Sequence, residues 1–304
     1  MAGPGLAAPD TVAVIPVAAP IDLRSTLAPL AHGRGDPTIR FADDAIWRAT
    51  RTPGGAATIR LRVAPEGIEV AAWGAGSDEA VAGAQDLVGV HDQPGRLVPR
   101  HRLIAELFRR HPGLRLPRTN RVFEALLPAI CEQKVTGIEA RAAFRGLVAA
   151  YGEPAPGPGG LRLPPGPDVL AALPYFAFHR FGLERRRADL IVAAARLAPK
   201  LEGAAPAQAD ALMRAVPGIG PWTAAEVVRI AFGDPDAVSI GDYHLPNLVA
   251  WALAREPRGD DARMLELLAP YEGQRGRVQR LLEESGLHAP RYGPRMAPRR
   301  IAGI

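Results

Sequence analysis

Asp242 is the residue with the strongest claim to chemistry. It closes the run Ser239-Ile240-Gly241-Asp242 and precedes a helix that carries Pro246 in its first turn. A carboxylate just ahead of a helix has two uses. It can cap the free N–H groups of the first turn, for which Asp is among the best residues. The positive end of the helix dipole also keeps it ionised, and an ionised carboxylate can stabilise positive charge developing on a sugar. Position alone favours the cap.

Roughly twenty residues upstream, Val216-Pro217-Gly218-Ile219-Gly220-Pro221 separates two amphipathic stretches, 209–216 and 222–232. The first helix stops, Pro217-Gly218-Ile219-Gly220 turns, and Trp222 starts the second, which ends before Gly233 and Pro235. Two glycines two apart permit left-handed dihedrals and let backbone N–H groups approach an anion, with the dipole of the new helix behind them. A plain αα-hairpin would use the same glycines only to turn. Pro, Gly, an aliphatic residue and Gly between amphipathic helices is the helix-hairpin-helix pattern, which grips DNA phosphates without reading sequence.

These residues need a scaffold, and the chain is long enough to build one. Its 304 residues are 47% hydrophobic and 23% charged, the proportions of a globular protein and not of a disordered one. The length suggests about two domains. No apolar run reaches the ~18 residues of a membrane span, and residues 1–20, rich in Ala and Pro, make a poor signal peptide. Lys+Arg 37 against Asp+Glu 32 gives +5, nearly all of the positive charge being Arg. That raises the prior for nucleic acid modestly. The lone Cys131 excludes an internal disulfide and a four-Cys metal or iron–sulfur site.

Thr58-Ile59-Arg60-Leu61-Arg62-Val63 and Ile68-Glu69-Val70-Ala71-Ala72-Trp73 alternate apolar and polar residues around Pro65-Glu66-Gly67, which predicts a β-hairpin. A helix is compatible with 78–87. Beyond about residue 100 the pattern becomes helical: Val122, Phe123, Leu126, Leu127 and Ile130 form one face, and further helices are predicted over 141–151, 185–197, 209–216, 222–232, 245–254, 264–268 and 277–282. Residues 152–167 read as a Pro/Gly loop. The expected fold is α+β, with a small N-terminal antiparallel β-sheet domain and a larger all-α domain. The expected division is a loose tail at 1–20, a β-rich domain at 21–108, a helical domain at 109–288 and a basic tail at 289–304.

Val216-Pro217-Gly218-Ile219-Gly220-Pro221-Trp222-Thr223-Ala224-Ala225, followed by Ser239-Ile240-Gly241-Asp242-Tyr243, resembles the helix-hairpin-helix–Gly/Pro–Asp superfamily of DNA glycosylases. Within it the sequence is most similar to the bacterial 3-methyladenine DNA glycosylase II group. The stretch Phe123 to Thr136, ending in Gln133-Lys134-Val135-Thr136, resembles that group's Gln-x-Val-Ser/Thr turn. The likeness covers about residues 110–285.

The resemblance implies that Asp242 is the catalytic carboxylate, and that Pro217, Gly218, Ile219 and Gly220 grip damaged double-stranded DNA. Trp222 stands where strand-cleaving relatives carry a nucleophilic lysine. An indole cannot form a Schiff base, so the implied enzyme is monofunctional, with water as nucleophile. Trp222 and Tyr243 are expected in the base pocket, where an aromatic face can stack on a cationic alkylated purine. Gln133 contacts the opposite base or braces the loop. Lys134 occupies the position of the inserted wedge, where relatives often carry a bulkier residue, and a phosphate contact or plain solvent exposure is the alternative. Arg275, Arg277 and Arg280 track phosphate or form a solvated basic helix. Of Tyr175, Phe176, Phe178 and Phe181, most are core by default, and one is a candidate for the pocket lining. No metal or cofactor takes part; a monovalent cation at the hairpin carbonyls would be structural. The expected protein is a cytoplasmic, nucleoid-associated monomer. Two alternatives stay open: a bifunctional glycosylase/lyase for oxidised bases, and a non-catalytic DNA-binding module.

Overall fold

The computed structural model describes residues 7–290. The predicted basic arginines of the C-terminal tail, from Arg291 onward, lie outside the described residues. An N-terminal unit holds five strands, β1 (Thr11–Ile15), β2 (Ile39–Phe41), β3 (Ile46–Thr52), β4 (Gly55–Ala64) and β5 (Gly67–Trp73), with short helices α1 (Leu23–Leu27), α2 (Ser77–Ala82) and α3 (Ala84–Leu87). The helical part comprises α4 (Arg102–Arg110), α5 (Val122–Cys131), α6 (Gly137–Tyr151), α7 (Pro167–Ala171), α8 (Arg185–Leu201), α9 (Pro206–Arg214), α10 (Pro221–Phe232), α11 (Leu245–Ala254), α12 (Asp261–Leu268) and α13 (Arg275–Glu284).

The sheet is antiparallel throughout, in the order β1-β5-β4-β3-β2. The predicted hairpin is β4–β5, with Ala64 opposite Gly67. Ile59, Leu61, Ile68 and Val70 point from it into a core completed by Leu23, Leu27 and Leu87. On the opposite face Trp47 and Trp73 stack at 5.3 Å, and Leu161 and Leu163 of the Pro/Gly loop fold back to cover them.

Two expectations about boundaries are corrected here. Residues 11–15 are not a loose tail: Thr11 to Ile15 pair in register with Ala72 to Ile68 as an edge strand. The helical part begins before residue 109, because Ile104 and Leu107 of α4 are buried against Val249, Leu268, Val278 and Leu281. Helix 78–87 breaks into α2 and α3 at Gly83.

The helices form two cores. One joins α5, α6, α8, α9 and α10 through Leu126, Leu127, Phe144, Ile191, Met213 and Val227. The other joins α4, α11, α12 and α13. The segment between α10 and α11 crosses from one to the other, with Ala237 packed on the first and Val238 and Ile240 on the second. Asp242 lies at the end of that crossing. The sheet is docked onto the helices by Glu124 of α5, which accepts from Arg48 Nη2 at 2.6 Å and from the Arg51 N–H at 2.7 Å.

Candidate active site

The hairpin between α9 and α10 is anchored by one apolar side chain. Ile219 is buried in the first helical core, while Pro217 and Gly218 are exposed. Gly218 takes φ +107°, and a Cβ there would press to 3.3 Å from the Leu190 side chain of α8. The turn therefore needs glycine for conformation and for close packing. The Ile219 N–H donates to the Val216 carbonyl at 3.0 Å, closing the loop.

A second loop braces this one. Gln133 follows α5, and its Nε2 donates to the Gly218 carbonyl at 3.1 Å and to Thr223 Oγ1 at 2.9 Å. Of its two anticipated uses the structure displays the brace. Lys134 beside it is exposed, with φ +55°, a left-handed conformation uncommon outside glycine. Helix α6 then starts at a capping box formed by Thr136 and Glu139.

Asp242 makes the cap that its position suggested and adds a contact to the indole of Trp222. Its Oδ1 accepts from the His244 N–H at 2.6 Å and from the Leu245 N–H at 2.7 Å, capping α11. Its Oδ2 accepts from Trp222 Nε1–H at 3.2 Å. Gly241, at φ +92°, makes the bend that swings the carboxylate back toward Trp222. The first turn of α10, directly after the hairpin, thus holds the indole against the carboxylate. Each carboxylate oxygen has two lone pairs, so Oδ2 retains an acceptor site toward a ligand.

Trp222 is part-buried and tied to Asp242. Tyr243 is not in a pocket: it is 84% exposed, edge-on to His244 at 4.9 Å. The aromatic cluster divides, with Phe178 fully buried and Phe181 against Tyr151, while Tyr175 and Phe176 are exposed.

Arg275 and Arg277 are corrected as phosphate contacts. The Arg277 side chain is 3% exposed and forms a two-point ion pair with the 7% exposed Asp92, its Nη1 at 3.0 Å from Oδ2. It locks α13 to the loop ahead of α4 and cannot reach a duplex without unfolding. Arg275 spends its guanidinium and its backbone N–H on Asp236, the Nε contact being 2.9 Å. Arg280, treated in the same way, is buried on Glu284 and the Ser25 carbonyl.

A buried polar network behind Asp242 was not anticipated. Ser239 accepts from Arg229 Nη1 at 3.2 Å and from Gln279 Nε2 at 3.0 Å, and donates to Glu226. Arg229 also bridges Glu226 at 2.9 Å and Glu283 at 3.0 Å. The Ser239 carbonyl in turn accepts the Asp242 N–H at 3.2 Å. Burial pushes the Glu226 carboxyl upward, against the pull of Arg229. At Glu283 the opposing pull of Arg229 and Arg280 wins over burial, and the carboxyl is lowered. The i, i+3 spacing of Glu226 and Arg229 on α10 was the available signal.

Glu226 also lines a cavity of about 140 Å³ between sheet and helices, with His32, Ala129, Glu132, Phe144 and Ile230. Trp222 and Tyr243 do not line it. Burial raises the Cys131 thiol to about 12, so it is no nucleophile.

No family model matches the chain. Over 138 residues, 44% of this chain and 28% of the relative, it is 31% identical to a Mycobacterium tuberculosis protein described as "Probable bifunctional transcriptional activator/DNA repair enzyme AlkA". The match thus spans little more than a quarter of that relative. In structure the chain is similar to a 3-methyladenine DNA glycosylase from Archaeoglobus fulgidus, with TM-score 0.73, 19% identity, and 88% of this chain and 97% of that one covered. It is also similar to MBOgg1 in complex with a low-affinity DNA ligand, with TM-score 0.72, 15% identity, and 93% and 99% covered. A Clostridium acetobutylicum 8-oxoguanine glycosylase/lyase bound to double-stranded DNA follows at TM-score 0.61, 14% identity, and 82% and 99% covered.

The fold is therefore that of the helix-hairpin-helix DNA glycosylases, and the chain sets the Pro217–Gly220 hairpin and Asp242 at the first turn of α10. In sequence, its likeness over those 138 residues is to a DNA repair enzyme.

Proposed function

We propose that the protein is a monofunctional DNA glycosylase that hydrolyses the N-glycosidic bond of alkylated purines in duplex DNA. The observation that carries this reading is Asp242. Its carboxylate is fixed by two backbone N–H groups and an indole N–H, beside a hairpin built for phosphate.

The hairpin amides and the N-terminus of α10 would hold a phosphate next to the lesion. The damaged nucleotide is extruded, at a cost of a few kcal/mol that is least for a weakened pair. The C1′–N bond breaks with its electron pair leaving on the base. An alkylated purine starts cationic and departs neutral, so little general-acid help is needed. Asp242 stabilises the cationic sugar and orients a water whose oxygen bonds to C1′, the proton passing to the carboxylate or to solvent.

Trp222 favours hydrolysis over the lyase alternative, because its N–H is held by Asp242 and offers no amine to the sugar. We assign no cofactor to the reaction. A structural monovalent cation fits the hairpin: the Val216 and Gly218 carbonyls each accept one hydrogen bond and keep a second lone pair. No helix among the described residues is long and apolar enough to cross a membrane, and we infer action on nucleoid DNA in the cytoplasm, as a monomer.

Base-release chromatography on methylated and on deaminated duplex tests the reading. Free alkylpurine, an intact abasic strand and no borohydride-trapped adduct are expected. A trapped covalent adduct would replace hydrolysis with lyase chemistry, and DNA binding without base release would leave only a binding module.

A further inference from the structure

The sequence reading placed phosphate-binding arginines on α13, and the structure buries Arg277 and Arg280 and pairs Arg275 with Asp236. Basic residues of the required kind stand instead at the start of α8, against the hairpin. Arg185, Arg186, Asp189, Leu190 and Ala193 of α8 face Val216 and Pro217 across an open groove. We propose that this groove is a second phosphate-binding site, and that Arg185 and Arg186 hold the strand gripped by the hairpin on its way past α8. The inference rests on the DNA-binding reading above and adds to it a surface and two named contacts.

Three observations place the groove on the same strand path as the hairpin. First, the two are in contact. Leu190 of α8 backs Gly218, so the hairpin turn rests on the helix that carries the arginines. Second, Arg186, Leu190 and Ala193 follow the i, i+4, i+7 stripe of one helix face. Arg186 therefore lies one turn, about 5.4 Å, from the residue that supports Gly218. That is on the order of one to two nucleotide steps, at ~3.4 Å rise each along one strand. Third, the cationic groups are available. The Arg185 side chain is 71% exposed and meets Asp189 only at 3.4 Å. Arg186 is exposed, and among the described residues it makes no hydrogen bond or salt bridge. The contrast with Arg187, 2% exposed and turned inward to Glu184 and the Cys131 carbonyl, shows that only the first two of the three consecutive arginines face outward.

Aromatic rings extend the surface. The Arg185 guanidinium lies 4.6 Å from the centre of the Tyr175 ring, which meets Phe176 edge-on at 5.8 Å. Stacking on Tyr175 holds the guanidinium plane without neutralising it. Phe176 is 63% exposed at the outer end. Arginine beside exposed aromatics suits a nucleic-acid backbone better than an acidic peptide, which would need paired donors and an apolar anchor pocket.

The test is the salt dependence of binding to a duplex carrying an abasic-site analogue, for the wild type and for R185Q/R186Q. Removing two phosphate contacts should flatten the plot of log affinity against log salt by about 1.8. Between about 50 and 200 mM salt the wild type should then lose roughly twelvefold more affinity than the variant. Single-turnover base release from saturated enzyme should be unchanged, and R185K/R186K should restore the slope. Both residues are exposed, and an unchanged thermal midpoint verifies the fold. Equal slopes for wild type and R185Q/R186Q would overturn the groove while leaving the glycosylase reading intact. A wild type that binds no duplex would overturn both.

Discussion

The indole of Trp222 and the carboxylate of Asp242, 20 residues apart in sequence, share a 3.2 Å hydrogen bond that ties the first turn of α10 to the loop entering α11. The donor orients Oδ2, while the α11 amides hold Oδ1. W222F keeps an aromatic ring and removes the N–H. A hydrogen bond to a charged group contributes about 1.5–3 kcal/mol, so single-turnover base release should slow by roughly ten- to a hundredfold. Duplex affinity should hold. A drop in affinity with an unchanged rate would make Trp222 a binding residue instead.

Gln133 should behave in the opposite way. Its amide bridges the Gly218 carbonyl and Thr223 and makes no contact with Asp242. Q133A should loosen the hairpin and weaken duplex binding by about fivefold, on the order of 1 kcal/mol. The rate from saturated enzyme should stay near that of the wild type, a split that titration followed by single-turnover assay would reveal.

Arg277 is a stability residue. R277Q strands the buried Asp92 carboxylate, and breaking a buried pair costs about 3–5 kcal/mol. Urea denaturation should display that loss. The salt slope of DNA binding should not change, whereas a phosphate contact would lower it by about 1.

Glu226 offers a pH signature. Burial raises its carboxyl above the ordinary 4.5, with Glu283 and Glu132 adding to the rise and Arg229 and Ser239 opposing it. The native state therefore holds that proton more tightly than the unfolded chain does. The associated stability is complete below pH 4.5 and is lost as pH rises through the raised native value. E226Q has no such proton. The difference in thermal midpoint between E226Q and wild type should therefore shift in the variant's favour between about pH 4 and pH 7. A flat or reversed difference contradicts the burial argument.

The sequence carried the β4–β5 hairpin, the later helices and the hairpin–aspartate pair, because each rests on local periodicity or turn chemistry. It did not carry β1, whose Thr-Val-Ala-Val-Ile run lacks polar alternation and follows a Pro-rich start. Nor did it carry β3, which is covered on one face by the helices and on the other by the folded-back loop, so its burial does not alternate. The arginines of α13 read as phosphate contacts or a solvated face because their carboxylates are distant in the chain: Asp236 is 39 residues from Arg275 and Asp92 is 185 from Arg277. The network around Ser239 was hidden for the same reason, since Gln279 lies 40 residues beyond it.

Asp242 carries the central claim, and D242N examines it most directly. The amide keeps the size of the side chain and can still cap α11 through its oxygen, but it offers no negative charge to a cationic sugar. On methylated duplex under single-turnover conditions, D242N should release alkylpurine at least a thousandfold more slowly than wild type, about 4 kcal/mol of transition-state stabilisation, while binding the duplex as tightly. Release at the wild-type rate would remove the carboxylate from the mechanism, and with it the assignment of this chain as a glycosylase.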